Sequence, residues 1–128
     1  MRIIITGGSG LIGRALTASL AADKHEVIVL SRDPEWVVGL PKGARAVQWD
    51  GRSAAGWGSL ADGADAIINL AGLNLLGLWT NDHKRRIRQS RINAGRAVVD
   101  AVRQARTKPA IVVQSSGIGH YGHVPDGI

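Results

Sequence analysis

Arg2-Ile3-Ile4-Ile5-Thr6-Gly7-Gly8-Ser9-Gly10-Leu11-Ile12-Gly13 decides the fold of this chain. An apolar, β-branched run reads as a buried strand, the glycines as a turn, and the residues after Gly10 as the start of a helix. Gly7, Gly10 and Gly13 follow G-x-x-G-x-x-G spacing, one residue wider in the first gap than the G-x-G-x-x-G pattern that cradles a dinucleotide pyrophosphate. The first glycine lets the chain turn sharply off the strand, the second leaves no side chain to block a phosphate, and the third lets the helix pack against the strand. Leu11, Ile12 and Gly13 then present free N–H groups and the positive end of a helix dipole to the phosphates. With 17 glycines in the chain, such a triplet also suits a packing turn. Its place after four strand-forming residues and before an amphipathic run favours phosphate binding.

A length of 128 residues suits one domain, residues 1–128, able to bury about two-thirds of the surface its unfolded chain exposes. There is no cysteine, so neither a disulfide framework nor a thiolate metal site is available, and no metal is expected. No run approaches the length of a membrane span, and the N-terminal apolar stretch is too short and glycine-broken for a signal peptide. A cytoplasmic home without membrane contact is the expectation. The net charge of +6 is unevenly spread, since nine of the 16 Lys and Arg residues lie between Lys84 and Lys108.

Strand and helix patterns alternate with short connections, which predicts an α/β fold whose parallel sheet is covered on both faces. Strands are expected at Arg2 to Thr6, Glu26 to Leu30, Ala44 to Trp49, Ala66 to Leu70 and Ala110 to Gln114. The last two are nearly all apolar, as interior parallel strands are. A helix is expected from Leu11 to Ala22 with Leu11, Ile12, Ala15, Leu16, Ser19 and Leu20 on its inward face. The longest helix is capped by Thr80 and runs to about Arg106, with Ile87, Ala94, Val98, Ala101, Val102 and Ala105 inward. Gly95 interrupts it at a cost of about 1 kcal/mol relative to Ala, and a close backbone approach would explain its presence.

The strand ends carry the chemistry, because ligands of open parallel sheets bind at the carboxyl edge. About 20 residues after the glycines, such folds meet the adenosine ribose, and here the chain reads Leu30-Ser31-Arg32-Asp33. An acidic residue there would favour NAD, whereas Ser31 and Arg32 offer a hydroxyl and a planar cation to a 2′-phosphate, which favours NADP. The other reading makes Arg32 a solvated turn residue paired with Asp33 or Glu35. Asp50, at the end of the third strand, either accepts from the adenine amine or caps the following turn. Leu70, Ala71 and Gly72 at the end of the fourth strand either let the nicotinamide ribose lie on the backbone or form a tight turn.

Taken together, these residues resemble the extended short-chain dehydrogenase/reductase superfamily. More narrowly they look like its NAD(P)-dependent epimerase/dehydratase-like branch, sometimes labelled a cell-division-inhibitor family. The resemblance rests on Thr6-Gly7-Gly8-Ser9-Gly10-Leu11-Ile12-Gly13, on His25-Glu26-Val27 leading to Leu30-Ser31-Arg32, and on Trp49-Asp50 and Asn69-Leu70-Ala71-Gly72. It continues through Trp79-Thr80, Lys84, Ile87, Ser90-Arg91, Ser116 and Tyr121-Gly122.

That resemblance implies a Rossmann-like doubly wound parallel sheet, here about five strands in the order 3-2-1-4-5, with NADP bound and a catalytic centre beside strands four and five. Ser116 matches the serine that hydrogen-bonds the substrate oxygen and polarises a carbonyl during hydride transfer. Ser115 is its neighbour and possible substitute, and is counted with the cofactor site. Tyr121, in a stretch that usually reads Tyr-Tyr-Gly, either faces the nicotinamide or substrate, and is then counted with Ser116 as catalytic, or packs in a glycine-rich turn.

The departures concern the substrate side. Leu73 stands where the branch usually has an acidic residue, Leu78 where it has arginine, and Gly95 where it has threonine. Family members are roughly twice as long, and the superfamily's Tyr-x-x-x-Lys proton-donor pair is absent, since Tyr121 is followed four residues later by Pro125. Without a tyrosine acidified by a lysine, carbonyl reduction lacks its proton source.

The chain is therefore expected to be the NADP-binding part of a longer epimerase/dehydratase-type oxidoreductase, inactive alone, with an unknown small-molecule substrate. A non-catalytic NADP-sensing module is an alternative. A lesser one is nucleic-acid binding through Lys84, Arg85, Arg86, Arg88 and Arg91, against which stands the lack of an aromatic platform. Apolar surface left by an absent second half would encourage homo-oligomers.

Overall fold

The apolar runs form five parallel strands: β1 (Arg2–Thr6), β2 (Glu26–Ser31), β3 (Ala44–Gln48), β4 (Ala66–Asn69) and β5 (Ile111–Gln114). The structure is a computed structural model and describes residues 1–116. The strands lie in the order β3-β2-β1-β4-β5, the expected 3-2-1-4-5 arrangement of a Rossmann-like sheet. Because every neighbouring pair is parallel, each connection must cross a face of the sheet. Helix α1 (Leu11–Ala22) makes the first crossing and α3 (Asn81–Gln104) the last. Two elements that the sequence patterns did not predict lie between them: a single 3-10 turn at Pro34–Trp36 and the short helix α2 (Gly58–Ala61).

Alternation along the central strands sorts the core into two layers. Ile3, Ile5, Val27 and Val29 pack with Ala21, Leu16 and Leu20 of α1, while Ile4, Ile28, Leu30 and Ile67 pack with Ala94, Ala97, Val98 and Ala101 of α3. Each fully buried aliphatic side chain contributes about 1.5 to 3 kcal/mol, an upper value relative to an extended chain. Trp57 is the largest fully buried side chain. It meets Trp49 edge to face at a centroid distance of 6.4 Å, and both indole N–H groups donate to the Ser53 carbonyl, at 2.9 and 2.8 Å. That shared acceptor lets two polar handles enter the apolar layer satisfied.

Helix α3 starts where expected, with Thr80 Oγ1 accepting from the His83 N–H at 3.1 Å. It stops slightly short of Arg106, since the backbone turns extended at Ala105, and Lys108 Nζ folds back to donate to the carbonyls of Val102, Arg103 and Ala105. Its buried stripe adds Ala97 to the expected residues. Among the described residues Gly95 lacks the expected close approach: a methyl group there would have no neighbour within 4 Å.

Two further expectations need correction. The inward face of α1 is Gly13, Thr17 and Ala21 with Leu16 and Leu20 beside them; Leu11, Ile12, Ala15 and Ser19 are exposed. Small residues face the sheet because the helix starts on top of the glycine turn, leaving no room for a leucine. Among the described residues strand β5 lies at the edge of the sheet, not in its interior, with Ile111, Val112 and Val113 each about half exposed. Among the described residues no helix is long and apolar enough to cross a membrane.

Candidate functional site

The chain steps outward from β1 to β2 and β3, then returns to the other side of β1 as β4 and β5. A crevice opens at the carboxyl ends of strands where the order reverses in this way. Here the cleft is about 590 Å³, and the glycine turn forms its floor. Gly7 has a positive φ of 70°, and a methyl group on it would lie 2.9 Å from the Leu70 backbone. Gly8, which sequence reasoning passed over, is held to hydrogen by Val29, whose Cγ1 would sit 2.7 Å from a methyl group there. Gly10 has its nearest such neighbour at 3.4 Å, so the space beside it is open to the cleft.

Gly13 has Gly7 and Gly8 of the turn as its nearest neighbours, so it seats the helix on the turn that leaves the strand. It does not line the cleft, and neither do the side chains of Leu11 and Ile12, which point to solvent. Their N–H groups precede the first helical hydrogen bond, which Arg14 gives to the Gly10 carbonyl at 2.9 Å. Three orphan donors thus stand at the positive end of α1.

A polar row underlies this edge. Thr6 Oγ1 donates to Asn69 Oδ1, Asn69 Nδ2 donates to Gln114 Oε1 at 2.7 Å, and the Ala71 N–H donates back to Thr6 Oγ1 at 3.2 Å. Thr6 and Asn69 are almost fully buried, so the row satisfies polar groups that are costly to leave unpaired. It joins β1, β4 and β5 immediately below the turn that carries Leu70, Ala71 and Gly72, all of which line the cleft.

The turn after β4 is also held from α3. Ser90 Oγ accepts from the Leu73 N–H at 3.0 Å while donating to the Ile87 carbonyl at 2.7 Å. A methyl group on Gly72 would lie 2.8 Å from Arg91 Nη1. The Ser-Arg pair singled out in the sequence therefore grips the rim of the cleft. Of the other basic residues of α3, Arg85 pairs with Asp82 at 2.8 Å, which holds the Asp82 carboxyl below its ordinary value.

At the far end of the cleft lie Ser31, Arg32 and Asp33. Ser31 Oγ accepts from the Asp33 N–H at 3.1 Å, and the Arg32 carbonyl accepts from Gln48 Nε2. The stem of Arg32 runs past Gly51, whose absent side chain would meet its Cδ at 3.6 Å. Among the described residues no carboxylate pairs with the Arg32 guanidinium, which removes the partners Asp33 and Glu35 weighed from the sequence. Arg14, unforeseen, enters the same cleft with its Nε tied to the Ser9 carbonyl at 2.8 Å.

Asp50 resolves differently. Its carboxylate accepts from the Arg52 and Ser53 N–H groups at 2.7 and 2.8 Å and from Ser53 Oγ at 2.6 Å. The Ser53 hydroxyl and then these N–H groups hold its carboxyl below the ordinary value. Asp50 does not line the cleft, so of its two readings the turn cap is the one with contacts on it. Ser115 donates its N–H to the Asn69 carbonyl at 3.0 Å; Ser116 follows it, exposed, and neither lines the cleft. Tyr121 lies outside the described residues.

Sequence reasoning also missed Trp36, Trp49 and Gly51 as lining residues. The signal for Arg14 was its place one residue after Gly13. Nothing in the pattern distinguished Trp36 from a core tryptophan.

The comparisons with known proteins agree with this geometry. A solved structure of the human epimerase family protein SDR39U1 with NADPH superimposes with a TM-score of 0.74 at 31% identity, covering 97% of this chain and 39% of that one. A UDP-glucose-4-epimerase from Stenotrophomonas maltophila, with bound NAD and formylated UDP-arabinopyranose, shares the fold with a TM-score of 0.75 at 23% identity, over 98% of this chain and 40% of that one. The epimerase family protein YfhF of Bacillus subtilis is 38% identical over 122 residues, which are 95% of this chain and 39% of that protein. The chain thus spans about 39% of the length of these relatives, less than the half expected. A sequence model of the NAD dependent epimerase/dehydratase family matches residues 3–128, and with the glycine turn, the strand order and the cleft at the reversal point all in place, this chain belongs to that family.

Proposed function

We propose that residues 1–128 are the nucleotide-binding domain of an epimerase/dehydratase-type oxidoreductase, that the domain prefers NADP to NAD, and that it does not turn over substrate alone. The observation that carries the preference is Arg32, a guanidinium at the cleft end of β2 with no carboxylate partner among the described residues. The human relative holding NADPH supports the same reading.

The residues present fit such a cofactor. The open space at Gly10 and the free donors of Leu11, Ile12 and Gly13 suit the pyrophosphate. Ser31 and Arg32 would hold an adenosine 2′-phosphate, where a charge-assisted bond contributes about 1.5 to 3 kcal/mol. Leu70, Ala71 and Gly72 offer backbone to the nicotinamide ribose. The cofactor, when bound, supplies hydride transfer. Ser116 would hold the substrate oxygen, with Ser115, its neighbour in the chain, as the possible substitute, and Tyr121 is assigned to the nicotinamide or substrate from its sequence motif alone.

Calorimetric titration of the chain with NADPH and NADH, beside a chain extended to the length of its relatives, tests the reading. The expected result is a tenfold to hundredfold preference for NADPH, about 1.5 to 3 kcal/mol, that Arg32→Ala removes, with turnover in the longer chain only. Equal weakening of both cofactors by Arg32→Ala defeats the specificity claim, and failure of either chain to bind defeats the cofactor claim.

A further inference from the structure

Four tryptophans occur in the chain, and Trp36 stands apart from the rest. Trp49 and Trp57 are buried and bound to each other. Trp79 is partly covered and meets His83 edge on at 6.2 Å. Trp36 is 77% exposed, the most exposed aromatic side chain among the described residues, yet it lines the cleft beside Arg32, Val37 and Gly51. An indole left in water has an unmet hydrophobic demand and a free π-face.

The backbone holds that indole at a fixed station. Pro34 begins the 3-10 turn with its φ locked. The Trp36 N–H donates to the Asp33 carbonyl at 3.0 Å, and the Val37 N–H donates to the Pro34 carbonyl at 3.1 Å. Val37 then packs into the core layer shared with Leu16 and Leu20. The segment is thus anchored on both sides of the tryptophan, four residues beyond the arginine assigned to the 2′-phosphate. A flat apolar wall beside a free guanidinium suits a ligand that carries a planar base and a phosphate close together.

We infer that Trp36 is the stacking wall for the adenine of the bound dinucleotide, acting with Arg32 to recognise a 2′-phosphorylated adenosine as one unit. The inference rests on the NADP-binding reading above. It assigns the base contact to a side chain outside the strands and outside the glycine turn. Stacking tolerates any purine, so Trp36 supplies affinity and Arg32 supplies the choice between phosphorylated and free ribose.

The test separates the two halves of the cofactor. Adenosine 2′,5′-bisphosphate and nicotinamide mononucleotide are titrated into the full chain by calorimetry and by tryptophan fluorescence, using wild type, Trp36→Phe and Trp36→Ala, with circular dichroism to confirm folding. The bisphosphate is expected to quench the wild-type emission. Trp36→Phe keeps affinity within about threefold but loses the quench, and Trp36→Ala loses about tenfold or more. Nicotinamide mononucleotide affinity stays unchanged in both variants. Wild-type affinity for the bisphosphate in Trp36→Ala overturns the inference and leaves the cofactor reading standing. Failure of wild type to bind either the bisphosphate or NADPH overturns both.

Discussion

Gly13 packs so closely on the carbonyl oxygen of Gly7 that no side chain fits between them, and a methyl group there would also lie 2.5 Å from Gly8 Cα. The third glycine of the motif therefore holds the turn and the helix in register. Gly10 has no such neighbour, and its bareness matters to what enters the cleft. Gly13→Ala should destabilise the fold by about 1 to 3 kcal/mol, as overpacking does, and abolish NADPH binding with it. Gly10→Ala should melt close to wild type while weakening NADPH. Thermal unfolding and calorimetry on the two variants check this, and equal melting temperatures would refute the division of labour.

Asp50 predicts a pH effect. Its folded-state carboxyl lies below the ordinary value of 3.8 because Ser53 and Arg52 donate to the ionised form. The carboxylate therefore stabilises the fold above that value, and the contribution fades as pH falls through the lower folded-state pKa. Asp50→Ala should melt below wild type at pH 7, and the gap should narrow below pH 3.8. Cofactor affinity should hold, since Asp50 does not line the cleft. A large loss of NADPH affinity without loss of stability would restore the adenine contact.

The central strands and the glycine turn were legible because a parallel strand buried on both faces must be continuously apolar, and only glycine permits the turn at Gly7 and the packing at Gly13, whereas the strand order came from the family resemblance. Arg32 was legible from its distance to the glycines. Less visible was anything decided by depth. Trp36 and Trp57 are the same residue type, one 77% exposed and the other fully buried, and no periodicity separates them. The inward face of α1 was misread for a related reason: a helix seated on a glycine turn presents Gly13 and Thr17 to the sheet, so the bulkier Leu11 and Ile12 are turned away. Asp50 was ambiguous because a capping and a ligand-binding aspartate look alike until the N–H groups of Arg52 and Ser53 are placed.

Thr17 carries a cost that the seating of α1 explains. It is 1% exposed, and its hydroxyl has no hydrogen-bond partner among the described residues. Desolvating a hydroxyl without a partner costs about 1 to 3 kcal/mol, whereas valine fills nearly the same volume without that penalty. Thr17→Val should raise stability by about 1 kcal/mol and leave NADPH affinity unchanged. Chemical denaturation measures it, and a loss of stability would reveal a partner for the hydroxyl.

Gly95 gives the opposite case, a glycine without a steric reason among the described residues. A methyl group there meets nothing within 4 Å, and the position is interior to α3, where glycine costs about 1 kcal/mol relative to alanine. Gly95→Ala should therefore raise the stability of this chain by about that amount. Gly95→Thr, which restores the residue usual in the resembling branch, should gain less because a β-branched side chain loses rotamer freedom in a helix. The residue also lies beside Ile92, Arg96 and Val99 in a second, open cleft on the flank of α3. Comparing Gly95→Ala in this chain and in one of relatives' length then reads whether that flank is covered. A gain in the short chain that turns into a loss in the long one means that a neighbour comes within contact of Gly95 there, and a gain in both means that it stays open.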